Sequence, residues 1–145
     1  MTYLLDTNIV SDLRKRRAPV VQWISDKTSA QLFISVLTLG EIARGVTMKA
    51  RRDPASAAHL GAWLERTRTT FADRVIEVSE DIAVEWGRLS VARTRSDIDG
   101  LIASTAIVHG LTIVTRNVAD FTDAGVRLVD PWNLGPSVSE SPTPR

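Results

Sequence analysis

The sequence predicts an α/β fold, with a mostly parallel sheet of about five strands flanked by helices on both faces. Two observations carry this prediction. Short apolar runs rich in strand formers alternate with longer segments of helical periodicity almost throughout the chain. The length of 145 residues is that of one domain with one core. We place the domain at residues 1–133 and expect a flexible tail at 134–145, which has little to bury.

Five short runs are predicted as strands. Residues 2–5 are apolar after Thr2, and residues 32–36 are rich in strand formers and too short for a buried helix. The remaining predicted strands are 74–78, 111–115 and 125–129. Because a helical segment separates most successive strands, they are expected to run parallel.

The helices begin at residues that favour helix caps. The first follows residues 6–8, Asp-Thr-Asn, and ends in a basic run before Pro19. Thr38 and Glu41 have the spacing of a capping box and are predicted to open the third helix. Further helices are predicted at 20–25, at 54–70, from Ser79 onward and at 99–109. The last of these has so little polar surface that it must be buried.

The composition excludes several classes of protein. Cysteine is absent, which rules out a disulfide scaffold, a thiolate zinc site and thiol catalysis. There is neither an apolar run of the roughly 20 residues that a membrane span needs nor an N-terminus typical of a signal peptide, so we expect a cytoplasmic protein. No Gly-x-Gly-x-x-Gly motif or P-loop is present, which argues against nucleotide-binding folds.

Four acidic residues are predicted at the carboxyl edge of the sheet, where open parallel sheets bind their ligands. They are Asp6, Glu41, Asp99 and Asp120. Carboxylates gathered in one cleft repel each other unless a cation neutralises them. Their oxygens suit a hard ion such as Mg²⁺ or Mn²⁺, whereas the absence of cysteine and the presence of only two histidines argue against zinc.

Each acid also has a simpler interpretation as a cap. Asp6 precedes the first helix, and Glu41 is the third residue of the predicted capping box. Asp99 stands three residues after Ser96, and Asp120 could cap a loop. Independent caps have no reason to coincide at one edge of the sheet, so their coincidence favours a shared site.

Four segments that contain these acids resemble the motifs of the PIN domain, and more narrowly those of the VapC-type ribonuclease toxins of bacterial toxin–antitoxin pairs. The segments occur in the family's order and with similar spacing. They are residues 4–8 (LLDTN), 35–42 (SVLTLGEI), 99–106 (DGLIASTA) and 115–121 (TRNVADF). The resemblance extends from about Tyr3 to Trp132.

The resemblance implies a three-layer sandwich and a Mg²⁺- or Mn²⁺-dependent endoribonuclease, held inactive by a cognate VapB-like antitoxin and forming a homodimer. We assign Asp6 and Asp99 to direct contact with the metal, and Glu41 and Asp120 to its water molecules or to a second ion. Four residues take the family's supporting polar positions: Thr7, Ser35, Thr115 and Asn117. The connection before the third acid is shorter than is common in the family, so Asp97 competes with Asp99 for that position.

Arginines near the predicted edge are candidates for RNA contact. The chain has 18 cationic and 17 acidic side chains, so neutralising the four site acids leaves a positive surface that suits a phosphate backbone. The candidates are Arg44, Arg93, Arg95 and Arg116. The basic run at 14–17 is better interpreted as a helix end that complements the helix dipole, and most of the four tryptophans as core residues.

Three other functions compete with this one. A PIN-like nuclease that acts on structured DNA or maturing RNA without an antitoxin stays open, as does a catalytically silent RNA-binding or interaction module. A receiver-type signalling module is disfavoured, because it needs an adjacent acidic pair after the first strand and a lysine after a late strand. Here Asp6 stands alone and Arg116 replaces the lysine.

Overall fold

The central sheet confirms the predicted α/β class. The computed structural model describes residues 1–135, so most of the predicted tail, residues 136–145, lies outside the described residues. Five strands form one sheet in the order β3-β2-β1-β4-β5, and every neighbouring pair is parallel. The strands are β1 Tyr3–Leu5, β2 Leu32–Ser35, β3 Val75–Ile76, β4 Thr112–Val114 and β5 Leu128–Val129. The first strand of the chain therefore lies at the centre of the sheet.

Within residues 1–135, six α-helices connect and cover the strands. They are α1 Thr7–Arg14, α2 Ala18–Ile24, α3 Val36–Ala50, α4 Pro54–Phe71, α5 Glu80–Ala92 and α6 Asp97–His109. Single 3-10 turns occupy Ser29–Gln31, Ala72–Arg74 and Val118–Asp120. In the part of the chain that the structure describes, none of the helices has the length and apolar character needed to cross a membrane.

Two apolar clusters, one on each face of the sheet, account for the three layers. Leu5 packs with residues of α1 to α4, such as Ile9 and Phe71. Leu4 packs on the other face with Ile102 of α6 and with the residues around Phe121. Because successive strand side chains point to opposite faces, two adjacent leucines contribute to both clusters.

The predicted capping box at Thr38 and Glu41 is wrong. Helix α3 begins two residues earlier, at Val36, and its N-cap is Ser35, whose hydroxyl accepts a hydrogen bond from the Leu37 backbone N–H at 3.0 Å. Ser35, and not Thr38, caps the helix because Ser35 is the last residue of β2, so strand and helix join without a loop. Glu41 consequently lies in the second turn of α3, where no backbone N–H needs capping, and its carboxylate is available for other contacts.

Candidate active site

Asp6 lies at the centre of the candidate site, directly after the central strand β1. It is the N-cap of α1, and its Oδ1 atom accepts a hydrogen bond from the Thr7 backbone N–H at 2.9 Å. The residue is only 7% exposed. The simple interpretation of Asp6 as a cap is therefore correct, but it accounts for only one of the two carboxylate oxygens.

The other oxygen of Asp6 is held by the end of β4. The buried Thr115 hydroxyl donates to Asp6 Oδ2 at 2.9 Å. The same hydroxyl oxygen accepts hydrogen bonds from Asn8 Nδ2 at 3.1 Å and from the Asn117 backbone N–H at 3.0 Å. A hydroxyl has one proton to donate and two lone pairs. With both lone pairs occupied, the Thr115 proton is directed at Asp6.

Glu41 reaches the same region from α3. Its Oε1 atom accepts a hydrogen bond from the Thr7 hydroxyl at 2.7 Å, and that hydroxyl oxygen lies 3.2 Å from the Thr38 hydroxyl oxygen. Thr7 thus bonds to Asp6 through its backbone and to Glu41 through its side chain. The two acids, 35 positions apart in the chain, are joined through one residue.

Asp99 approaches from α6. Ser96 caps this helix by accepting a hydrogen bond from the Asp99 backbone N–H at 3.1 Å, which leaves the Asp99 carboxylate free of the cap. The next residue, Gly100, lies against α5, and a Cβ atom there would be 2.9 Å from Trp86 Cδ1. Since that distance is too short, glycine is required for the two helices to bring Asp99 to this position.

The electrostatics connect Asp6 with two further acids, Glu41 and Asp99. Burial raises the pKa of Asp6 above its ordinary value of 3.8, and the nearby charges of Glu41 and Asp99 raise it further. The hydrogen bonds from Thr115 and Thr7 lower this pKa without cancelling the increase. Asp97, the alternative to Asp99, is exposed at the first position of α6 and is not among the charges that shift the Asp6 pKa.

The structure places Asp120 in a different setting. It lies in the 3-10 turn Val118–Asp120 and lines a cavity of about 610 Å³ beside Arg116 and Asn117. Its charge is not among the main causes of the raised pKa of Asp6. Asp6, Glu41 and Asp99 therefore form the acidic cluster, and Asp120 lies in the adjoining cavity.

The donor set of this cluster fits a hard divalent ion. Oxygen ligands on a half-buried, negatively charged site are what Mg²⁺ and Mn²⁺ require. Within residues 1–135, no three acidic or histidine side chains are close enough together to hold an ion by themselves. An ion here would complete its coordination with water or substrate oxygens, as Mg²⁺ usually does.

The four candidate arginines differ in availability. Arg44 is exposed on α3, one turn beyond Glu41. Arg93 is engaged, because it bonds to Asp123 and to the Ala119 carbonyl, each at 3.1 Å. The three guanidinium nitrogens of Arg95 are buried and have no hydrogen-bond partner within the described residues. Arg116 is 45% exposed and forms an ion pair with a buried acid, Asp12.

Sequence reasoning missed three residues of this region: Asn8, Asp12 and Trp132. Asn8 follows Asp6 and Thr7 in the first motif, so its position in the sequence could have identified it as a residue of this region. In the sequence, Asp12 looks like an ordinary polar residue of a helix. Most of the four tryptophans were expected in the core, but Trp132 is 44% exposed and its indole N–H donates to Asp12 at 2.9 Å.

The fold and the acidic cluster at the carboxyl edge of its sheet define the class of protein. Residues 3–125 match the model of the PIN domain family, and the chain belongs to this family. The resemblance seen in the sequence is thereby confirmed.

The chain is similar in sequence to a known ribonuclease and in structure to two solved structures. It is 31% identical to the VapC ribonuclease Y4jK of Sinorhizobium fredii over 89% of this chain and 96% of that protein. Its structure is similar to the crystal structure of FitAcB from Neisseria gonorrhoeae, with a TM-score of 0.82, 28% identity and coverage of 92% of this chain and 100% of the other. A toxin–antitoxin complex from Klebsiella pneumoniae matches with a TM-score of 0.68 and 31% identity, over 90% of this chain and 98% of the other.

Proposed function

We propose that this chain is a Mg²⁺- or Mn²⁺-dependent endoribonuclease and the toxin of a VapBC-type toxin–antitoxin pair. The observation that carries the proposal is the buried Asp6 carboxylate, whose pKa is raised by burial and by Glu41 and Asp99. A carboxylate in this setting is costly in its charged form, and a divalent cation removes that cost. The names of the similar proteins, a ribonuclease and a toxin–antitoxin complex, support the same function.

Some residues of the site would hold the ion, and others orient the residues that would hold it. Asp6 and Asp99 would contact the ion directly, and Glu41 and Asp120 would hold its water molecules or a second ion. Bound there, the ion supplies an activated water for hydrolysis of an RNA phosphodiester and neutralises charge on the phosphate.

Three contacts of the chain fix this arrangement. Thr115 orients Asp6 through its hydroxyl, and Thr7 orients Glu41. Ser35 caps α3 and so sets the rotation of the helix that presents Glu41. Attack by water does not use the ribose 2′-hydroxyl as nucleophile, so a preference for RNA has to come from contacts outside the acidic cluster.

The first test compares Asp6→Asn and Asp99→Asn with Asp73→Asn as a matched control. Asp73 is exposed in the 3-10 turn Ala72–Arg74, before β3, and lies outside the cluster. We expect the two site variants to lose Mn²⁺-dependent cleavage of total RNA by more than about a hundredfold, with unchanged circular dichroism, and the control to cleave at the wild-type rate.

Two outcomes would refute the proposal or favour an alternative. Cleavage by both site variants at the wild-type rate would show that the site is wrong. A wild-type protein that binds RNA, but neither cleaves it nor binds Mn²⁺ in calorimetry, would favour the catalytically silent RNA-binding module.

An apolar groove on the far side of α1 suits an antitoxin segment. Val10, Leu13, Ile24 and Trp63 are among its lining residues, and three arginines border it: Arg14, Arg66 and Arg74. Such a groove fits an amphipathic segment that carries acidic residues. Growth arrest on expression of this chain alone, relieved by co-expression of a small protein encoded immediately upstream, would support the pairing. Full viability at high soluble expression would contradict it.

The homodimer that the family resemblance implies is part of the same proposal. Sedimentation equilibrium of the purified chain should give twice the mass of 15.9 kDa. A single species of monomer mass across the accessible concentration range would contradict this part alone, since the acidic cluster lies within one chain.

A further inference from the structure

A second buried carboxylate, Asp12, lies six residues after Asp6, on the helix that Asp6 caps. Its side chain is 4% exposed, and its Oδ2 atom lies 3.1 Å from Nε of Arg116, whose side chain is 45% exposed. A buried carboxylate needs a partner, because its desolvation is costly. Arg116 supplies that partner from the loop that follows β4.

Trp132 fixes the same arginine from a second direction. Its indole N–H donates to Asp12 Oδ2 at 2.9 Å, and the Arg116 Cζ atom lies 5.5 Å from the centre of the indole ring. The guanidinium is therefore held at Nε by a carboxylate and on one face by an aromatic ring. Within residues 1–135, Asp12 is its ion-pair partner, and the terminal nitrogens are left for other contacts.

The same face of α1 joins Arg116 to the acidic cluster. Asn8 and Asp12 are four residues apart and so lie on one face of the helix. Asn8 Oδ1 accepts a hydrogen bond from the Arg116 backbone N–H at 3.2 Å, while its Nδ2 atom bonds to Thr115. Arg116 thus directly follows the residue that orients Asp6, and it borders the cavity that contains Asn117 and Asp120.

We propose that Asp12 and Trp132 are positioning residues that hold the Arg116 guanidinium at the border of this cavity, where its terminal nitrogens bind a phosphate of the RNA beside the Asp6 cluster. This inference rests on the proposed ribonuclease function. A guanidinium fixed in one orientation presents two parallel N–H groups to a phosphate and loses little side-chain entropy on binding. Arg93 and Arg95 are engaged or buried, and neither presents such a group.

The binding test compares Arg116→Gln with Arg127→Gln. Arg127 is an exposed arginine before β5, at the opposite edge of the sheet, so the control removes the same charge elsewhere. Affinity for a fluorescein-labelled single-stranded RNA of mixed sequence is measured by anisotropy over a range of salt. We expect Arg116→Gln to weaken binding roughly tenfold and to make the dependence of log K on log salt shallower by about 0.7. Arg127→Gln should change neither.

The positioning role is tested through Trp132→Phe and Asp12→Asn. Both should weaken binding of this RNA and raise KM for its cleavage about threefold, with kcat unchanged. In an Arg116→Gln background they should add nothing, because the arginine that they position is absent. The pair Asp12→Asn with Arg116→Gln leaves no buried charge unpartnered, so it keeps the test valid if Arg116→Gln alone is too unstable.

Three results would overturn the inference. In the first, Trp132→Phe and Asp12→Asn lower the melting temperature but leave KM and the salt dependence at wild-type values, which would make the contact purely structural. In the second, the losses persist in the Arg116→Gln background. If Asp6→Asn is inactive while Arg116→Gln binds RNA as the wild type does, only this inference fails. If Asp6→Asn is fully active, the proposed function fails.

Discussion

Helix α1 carries two buried carboxylates that the protein treats differently. Asp12 is 3% exposed and is matched by a cation of the chain, Arg116, and by the Trp132 indole N–H. Asp6 is 7% exposed, and its hydrogen-bond partners in the described residues are neutral groups, while its charged neighbours are the acids Glu41 and Asp99. The difference teaches that burial alone does not mark a functional acid. We infer that the absence of a compensating cation in the described residues marks it.

The largest expected effect tests how Asp6 is held. Thr115→Val removes the hydroxyl that donates to Asp6 Oδ2 while keeping the shape of the side chain. We expect Mn²⁺ affinity and RNA cleavage to fall between about tenfold and a hundredfold, because a residue that orients a metal ligand is removed. Thr112→Val, the same change at the other end of β4, should leave both within about twofold of wild type. Equal losses in the two variants would show a general effect on the sheet.

The second prediction compares the two carboxylates directly through stability. Arg116→Ala leaves Asp12 buried without its cation, and should lower the free energy of unfolding by about 2 kcal/mol. Asp6→Asn removes a buried charge that has no cation partner in the described residues, and should raise the free energy of unfolding of the metal-free protein by about 1 kcal/mol. Urea denaturation measures both. A loss of stability in Asp6→Asn would contradict the comparison.

The third prediction concerns pH. Because the folded-state pKa of Asp6 is raised above 3.8, its protonated form favours the folded state. The stability that Asp6 contributes is therefore fully present below the unfolded-state pKa and is lost as pH rises through the folded-state pKa. In metal-free buffer, the wild type should lose stability relative to Asp6→Asn as pH rises from about 3.8. Saturating Mn²⁺ should reverse this difference at neutral pH.

The smallest effect concerns a buried cation. The Arg95 guanidinium nitrogens are buried without a hydrogen-bond partner in the described residues, so Arg95→Met, which keeps the apolar stem, should raise the free energy of unfolding by about 1 kcal/mol. Arg93→Met is the matched control, because it removes a guanidinium that bonds to Asp123 and the Ala119 carbonyl. A gain of equal size in Arg93→Met would show that burial of Arg95 is not the cause.

The sequence was informative wherever a local rule places a residue. Asp6 and Thr115 directly follow parallel strands that pair with each other, and the strand-end rule brings them to one edge. Local rules failed where two caps competed. Ser35 and Thr38 both favour a helix start, and the choice of Ser35 depends on the length of β2, which the tertiary packing sets.

Contacts between distant parts of the chain could not be predicted. Trp132 and Asp12 are 120 residues apart, and the periodicity of either segment contains no sign of their hydrogen bond. The same holds for Asp120. Its place in the lining of the cavity beside Arg116 and Asn117 depends on the backbone of the turn Val118–Asp120, which its motif does not specify.

Calorimetric titration of Mn²⁺ into the wild type, Asp6→Asn and Asp12→Asn tests the central claim most directly. The claim is that the carboxylate without an internal cation is the one that requires a metal. We predict saturable binding by the wild type and by Asp12→Asn, and none by Asp6→Asn. Binding by Asp6→Asn with wild-type affinity would contradict it.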